Sequence, residues 1–122
     1  MVDGVKHELD KAWLITTANI PYFGGGMKIC PEANPADGSA EICVVSGIGR
    51  LTLLAVFPKV YKGSHTSHPA VHFFRGRHIS IEAVHPLDVH MDGEAASSTP
   101  LSLEVIPAAL TVIGSNQRAP VV

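Results

Sequence analysis

Apolar and polar positions alternate with a period of two along most of this chain, the repeat of strands that hide one face. Ala12 to Ala18, rich in Trp, Ile and Thr, reads as a strand. Val5 to Leu9 reads as a strand before it, with a hairpin turn at Asp10-Lys11. In Arg77 to Ala83, Ile79, Ile81 and Ala83 share one side, and His78, Ser80 and Glu82 share the other. Leu87, Val89 and Met91 alternate with Asp88, His90 and Asp92 in the same way. Leu101, Leu103 and Val105 do so against Ser102 and Glu104, and a last strand is predicted over Ala109 to Ile113, past Pro107. Glu41 to Ser46 is instead almost continuously apolar, which predicts a strand covered on both faces.

One segment follows the other period. From Arg50 to Tyr61, Leu51, Leu54, Ala55 and Pro58 recur at helical spacing, with Arg50, Thr52 and Lys59 off that stripe. The pattern predicts a helix over about residues 49–61 with its stripe in the core, ended or kinked by Pro58 and stopped by Gly63. Phe73 and Phe74 are adjacent, so a regular strand turns one of them inward and leaves the other as an exposed anchor or groove cover. Ala95 to Pro100 reads as a polar turn, and the chain from Ser115 as a frayed tail. The fold class is mainly β, a sandwich-like domain of six or more strands with one inserted helix.

Composition narrows the function classes. A length of 122 residues suits one domain, and 46% hydrophobic with 16% charged residues excludes wholesale disorder. A net charge of −2 carries no basic footprint, which argues against nucleic acid as the main partner. No apolar run approaches the roughly 20 residues that span a bilayer, and the first residues lack the apolar core of a signal peptide. Cys30 and Cys43 lie in apolar surroundings outside any CxxC pair, which favours free buried thiols over a disulfide. The expectation is a soluble cytoplasmic domain.

Three sets of residues could carry chemistry. Gly24-Gly25-Gly26 suits a backbone that turns with positive φ or is closely approached. Asn34 to Ser39 is a turn by composition; it is an Asx-type connection, or a hard-cation site in which Asp37 supplies a carboxylate and nearby carbonyls supply further oxygens. Asp92-Gly93-Glu94 is a hairpin turn with two exposed acids, or a bend that projects Glu94 into a cleft as a proton acceptor. His65, His68 and His72 are closely spaced, but Gly63-Ser64 and Pro69 point to a loop, and no HExxH or paired cysteines support zinc.

The order of these elements is similar to the C-terminal part of the bacterial diacylglycerol kinase family, which includes the sphingosine and ceramide kinase catalytic domains. The similarity is carried by Thr17-Ala18-Asn19, Phe23 to Met27, Cys30-Pro31, Asp37-Gly38 and Glu41 to Val45. It continues through Phe57-Pro58-Lys59-Val60, Gly63-Ser64-His65, Asp92-Gly93-Glu94 and Pro107 to Val112, so it covers about Val5 to Ile113. The resemblance implies a two-domain lipid kinase in which this chain is the lipid-side β-sandwich domain. The N-terminal ATP-binding domain, with its Gly-Gly-Asp-Gly-Thr loop, is absent from this sequence.

Glu94 falls where the family places its proton acceptor. Asp37 falls at the family's structural Mg²⁺ site, with the carbonyls of Asn34 and Ser39 as flanking ligands, although Pro35 after Asn34 departs from some members. The resemblance further implies ATP as co-substrate, a lipid hydroxyl as acceptor and peripheral, transient contact with the inner membrane face. The isolated chain is then expected to be inactive, and the apolar face left without its neighbour domain favours a homodimer. The competing reading is a stand-alone β-sandwich module that binds lipid or protein without catalysis.

Overall fold

Strand β2 (Ala40–Ser46) is buried along nearly its whole length because each of its faces is covered by a different layer. In the computed structural model, which describes residues 1–113, it is the centre of an antiparallel sheet between β1 (Ala12–Ala18) and β3 (Val71–Gly76). Ala40, Ile42 and Val44 point to one side and meet Ile79. That isoleucine belongs to a ribbon of β4 (His78–Ile81) and β7 (Leu101–Glu104), whose Ile81 and Leu103 complete this layer. Cys43 points to the other side and packs with Ile29, Cys30, Val56, Val60 and Val71. Burial on both faces is what the continuous apolar run demands.

The covering layer on the Cys43 side is helical. Helix α1 (Arg50–Val56) passes directly into a 3₁₀ helix over Phe57–Lys62, and a second 3₁₀ turn follows over Ser64–Ser67. Pro58 sits in the first turn of the 3₁₀ segment, where its missing N–H costs nothing. Gly63, at φ 70°, caps it in the left-handed conformation. The fold is mainly β and sandwich-like with an inserted helix, and the seven strands among the described residues meet the expectation of six or more.

Several expectations are corrected. Val5 to Leu9 is not a strand; Val2 and Val5 instead close a tight turn, and Val2 pairs with Ile79 at the edge of β4. Asp3 anchors that edge by accepting the backbone N–H groups of Arg77 and His78. Strand β3 is an addition: Phe73 and Phe74 both find apolar cover, on opposite faces of the central sheet. The polar stretch Ala95 to Pro100 is largely strand β6 (Glu94–Ser98), held by main-chain pairing to β5 (Asp88–Met91) rather than by burial. Ala109 to Ile113 forms no strand; Leu110, Val112 and Ile113 are exposed without a ladder. The expectation for Ser115 onward lies outside the described residues.

The most informative correction concerns the helix. Leu51, Leu54, Ala55 and Pro58 face solvent, while Val56 and Val60 enter the core. Because Arg50 to Tyr61 is apolar nearly all round, two helical stripes compete, and packing chose the one that the spacing did not single out.

Candidate functional site

The loop Asn34 to Ser39 is a folded, internally bonded turn. Asn34 Oδ1 accepts the Ala36 N–H at 3.0 Å, and Asp37 Oδ1 accepts the Ser39 N–H at 2.9 Å. The Asn34 carbonyl accepts the Asp37 N–H at 3.4 Å. Gly38 takes φ 75° against Pro107, so a side chain there is strained by conformation and by contact. The other Asp37 oxygen, Oδ2, is paired with the Arg75 guanidinium, which β3 delivers from directly opposite Glu41. These residues line a cavity of about 220 Å³ together with Glu32, Phe73 and Phe74.

Glu41 is the residue that sequence reasoning passed over. It is 9% exposed, and its Oε2 has no hydrogen-bond partner among the described residues. Burial pushes its carboxyl above the ordinary range. The Glu32 backbone N–H pulls it back, the Glu32 charge raises it further, and Arg75 and the Ala33 N–H lower it. An acid at the start of a doubly covered strand was the available signal, because a lone carboxylate rarely enters a core. Arg75 lay hidden with strand β3.

Oxygen chemistry suits a hard cation here. Asn34, Asp37, Ser39 and Glu41 line one cavity, and Mg²⁺ binds through one or two carboxylates plus water. A cation at Asp37 shares that carboxylate with Arg75. The donor types are those Mg²⁺ takes, although Asp37 is already paired with Arg75 and no three His, Cys, Asp or Glu side chains converge among the described residues.

Glu94 is built differently. Asp92 and Gly93, at φ 52° and 87°, form the two-residue turn between β5 and β6, and Glu94 is the first residue of β6, opposite Met91. It is exposed, and neither it nor any residue of its hairpin lines the Asp37 cavity. The two sites are thus separate on this chain, and the hairpin exposes its carboxylate to solvent.

The histidines do not assemble. His65 is 1% exposed and its Nε2 donates to the Ile29 carbonyl at 3.0 Å, while His68 Nδ1 accepts the Ala70 N–H at 3.2 Å. Cys30 and Cys43 are free and fully buried, and burial pushes both thiols up to about 12. Neither is a nucleophile at neutral pH. Gly24, Gly25 and Gly26 all take positive φ in the turn that joins Phe23 to Met27.

The two turns are thus carried on a layered β core with one inserted helix. The chain belongs to the family described as the "YegS C-terminal NAD kinase beta sandwich-like domain", whose model matches residues 1–114. It is 31% identical over 113 residues to a diacylglycerol kinase of Mycobacterium tuberculosis, covering 93% of this chain and 36% of that protein. It is 30% identical over 105 residues to the "Putative lipid kinase YtlR" of Bacillus subtilis, covering 86% of this chain and 34% of that protein. A solved structure titled "a putative diacylglycerol kinase from Bacillus anthracis str. Sterne" superposes with a TM-score of 0.71 at 27% identity. The match covers 88% of this chain and 37% of that one. The chain thus spans about a third of the length of these relatives and corresponds to their C-terminal domain.

Proposed function

We propose that this chain is the substrate-side domain of an ATP-dependent lipid kinase that phosphorylates a lipid hydroxyl, with Glu94 as the catalytic carboxylate. The observation that carries this reading is the presentation of Glu94: a tight turn ends β5, and the carboxylate stands exposed at the start of β6. A second domain that holds ATP completes the cleft. Glu94 accepts the proton of the lipid hydroxyl as its oxygen bonds to the γ-phosphorus; the bond to the β-phosphate oxygen breaks and ADP leaves. Phosphoryl transfer asks mainly for positioning and charge neutralisation, so a carboxylate delivered across a cleft suffices. Asp37, with the carbonyls of Asn34 and Ser39, would hold Mg²⁺, which would supply positive charge to brace the loop. Because the substrate is a lipid, the enzyme works at a bilayer surface.

The test is a lipid kinase assay with diacylglycerol on the complete gene product, comparing wild type with Glu94→Gln. Loss of a general base lowers turnover by at least about a hundredfold, with the melting temperature unchanged because Glu94 is exposed. Full activity in the variant would reduce Asp92-Gly93-Glu94 to a turn and favour a non-catalytic lipid- or protein-binding module.

A further inference from the structure

The helical segment Arg50–Lys62 turns its second apolar stripe outward. Val56 and Val60 are 5% and 8% exposed, whereas Leu51 is 83%, Leu54 69%, Phe57 50% and Tyr61 54% exposed. A single exposed leucine is ordinary, but four large exposed apolar side chains along α1 and the 3₁₀ helix that continues it want cover. Within α1, at about 100° per residue, Leu51 and Leu54 fall on the side away from Val56.

Charge says what the cover is. Arg50, Lys59 and Lys62 lie on this same segment, and the chain has no acidic residue from Ile42 to Ile81. None of the three makes an ion pair among the described residues. Lys28 adds a fourth cation beside the segment: its N–H bonds the Val60 carbonyl at 3.1 Å, and its side chain passes next to Gly63. The chain as a whole is net −2, so this is a local basic surface on a slightly acidic domain.

We propose that this outer face docks on an anionic lipid bilayer, with Leu51, Leu54 and the aromatic rings of Phe57 and Tyr61 at the acyl boundary and the cations among the headgroups. Apolar tips flanked by Lys and Arg are what an interfacial helix requires. A second copy fits poorly, because a two-fold contact would press three unpaired cations against the same three. Nucleic acid would satisfy the cations but leave the leucines in water. The proposal rests on the lipid-kinase reading for its reason to be at a membrane, but it is tested without catalysis.

The experiment is co-sedimentation of the 122-residue chain with vesicles of phosphatidylcholine alone and of phosphatidylcholine mixed equally with phosphatidylglycerol. Wild type is expected to bind the anionic vesicles several-fold more tightly than the neutral ones. Leu51→Ser/Leu54→Ser is expected to weaken anionic-vesicle binding roughly tenfold or more, and Lys59→Gln/Lys62→Gln several-fold. Circular dichroism melts should match wild type, because all four side chains are exposed.

Absence of vesicle binding, indifference to lipid charge, or variants that bind like wild type would each overturn the proposal. So would a dimer that the leucine substitutions disperse while vesicle binding is unchanged, since a second copy would then own the face. Failure of these vesicle measurements leaves the Glu94→Gln assay unaffected, so the docking face and the kinase reading fail separately.

Discussion

Two of the chain's Asp-Gly turns have opposite construction. Around Asp37-Gly38 the carboxylate is held by the Ser39 N–H and Arg75, the glycine lies against Pro107, and β2 and β3 stand behind the loop. Around Asp92-Gly93 a Cβ on the glycine would meet no atom within 4 Å, and the hairpin is held by its own ladder. The first turn is braced and finished within the domain. The second is presented, and it gains a purpose only where another surface closes over it.

The largest expected effect lies on the presented side, where Glu94→Gln should lower turnover by at least about a hundredfold and leave stability intact. The next pair of substitutions separates the two regions by stability alone. Ile42→Ala empties a site that is 3% exposed between two layers, and should cost about 3 kcal/mol in urea unfolding. Met91→Ala, in the hairpin at 58% exposure, should cost less than about 0.5 kcal/mol. Equal losses at the two positions would mean that the hairpin shares the core's cooperativity and is not a projecting arm.

The same contrast explains what could be read from the residues. Alternation located β4, β5 and β7, strand-forming residue types located β1, and the unbroken apolar run, which burial on both faces imposes, located β2. It failed where burial was not the organising force. Strand β6 is polar and exposed and exists through main-chain pairing, which leaves no side-chain period. Strand β3 was obscured because Phe73 and Phe74 each have cover, so the expected in-and-out pattern disappears. The α1 segment was recognised as helical but turned the wrong way round, since an all-round apolar helix carries no directional signal. At the sites, the turns at Asp37 and Glu94 were visible as turn chemistry, whereas Arg75 and Glu41 meet only through the β2–β3 register.

On the braced side, Asp37→Asn tests whether the loop is a cation site as well as a turn. It should cost about 1 kcal/mol, a modest figure because Arg75 is half exposed and its pair is screened. Mg²⁺ should raise the melting temperature of the wild type by mass action and leave that of the variant unmoved. A wild type indifferent to Mg²⁺ would make Asp37 a partner of Arg75 alone.

The smallest effect belongs to Glu41, where the braced side holds an uncompensated acid. Burial favours its protonated form in the folded chain, so its folded pKa lies above the unfolded value. Folding therefore takes up a proton in the window between the two values. This group's contribution is fully present below the unfolded pKa and is lost as pH rises through the folded one. Glu41→Gln cannot ionise and escapes that loss. At neutral pH the variant should be more stable than wild type by about 1 kcal/mol, the scale of an unsatisfied buried polar atom, and the two should converge below about pH 4. Glu32, Asp37 and Arg75 face the same cavity, so the comparison is best repeated in the Asp37→Asn background, which frees Arg75. If Arg75 then turns to Glu41, directly across the β2–β3 ladder, the gain from Glu41→Gln should shrink. A gain that stays constant from acid to neutral pH would mean that Glu41 titrates alike in the folded and unfolded chain, and a gain that grows toward acid would mean that the folded chain holds it charged.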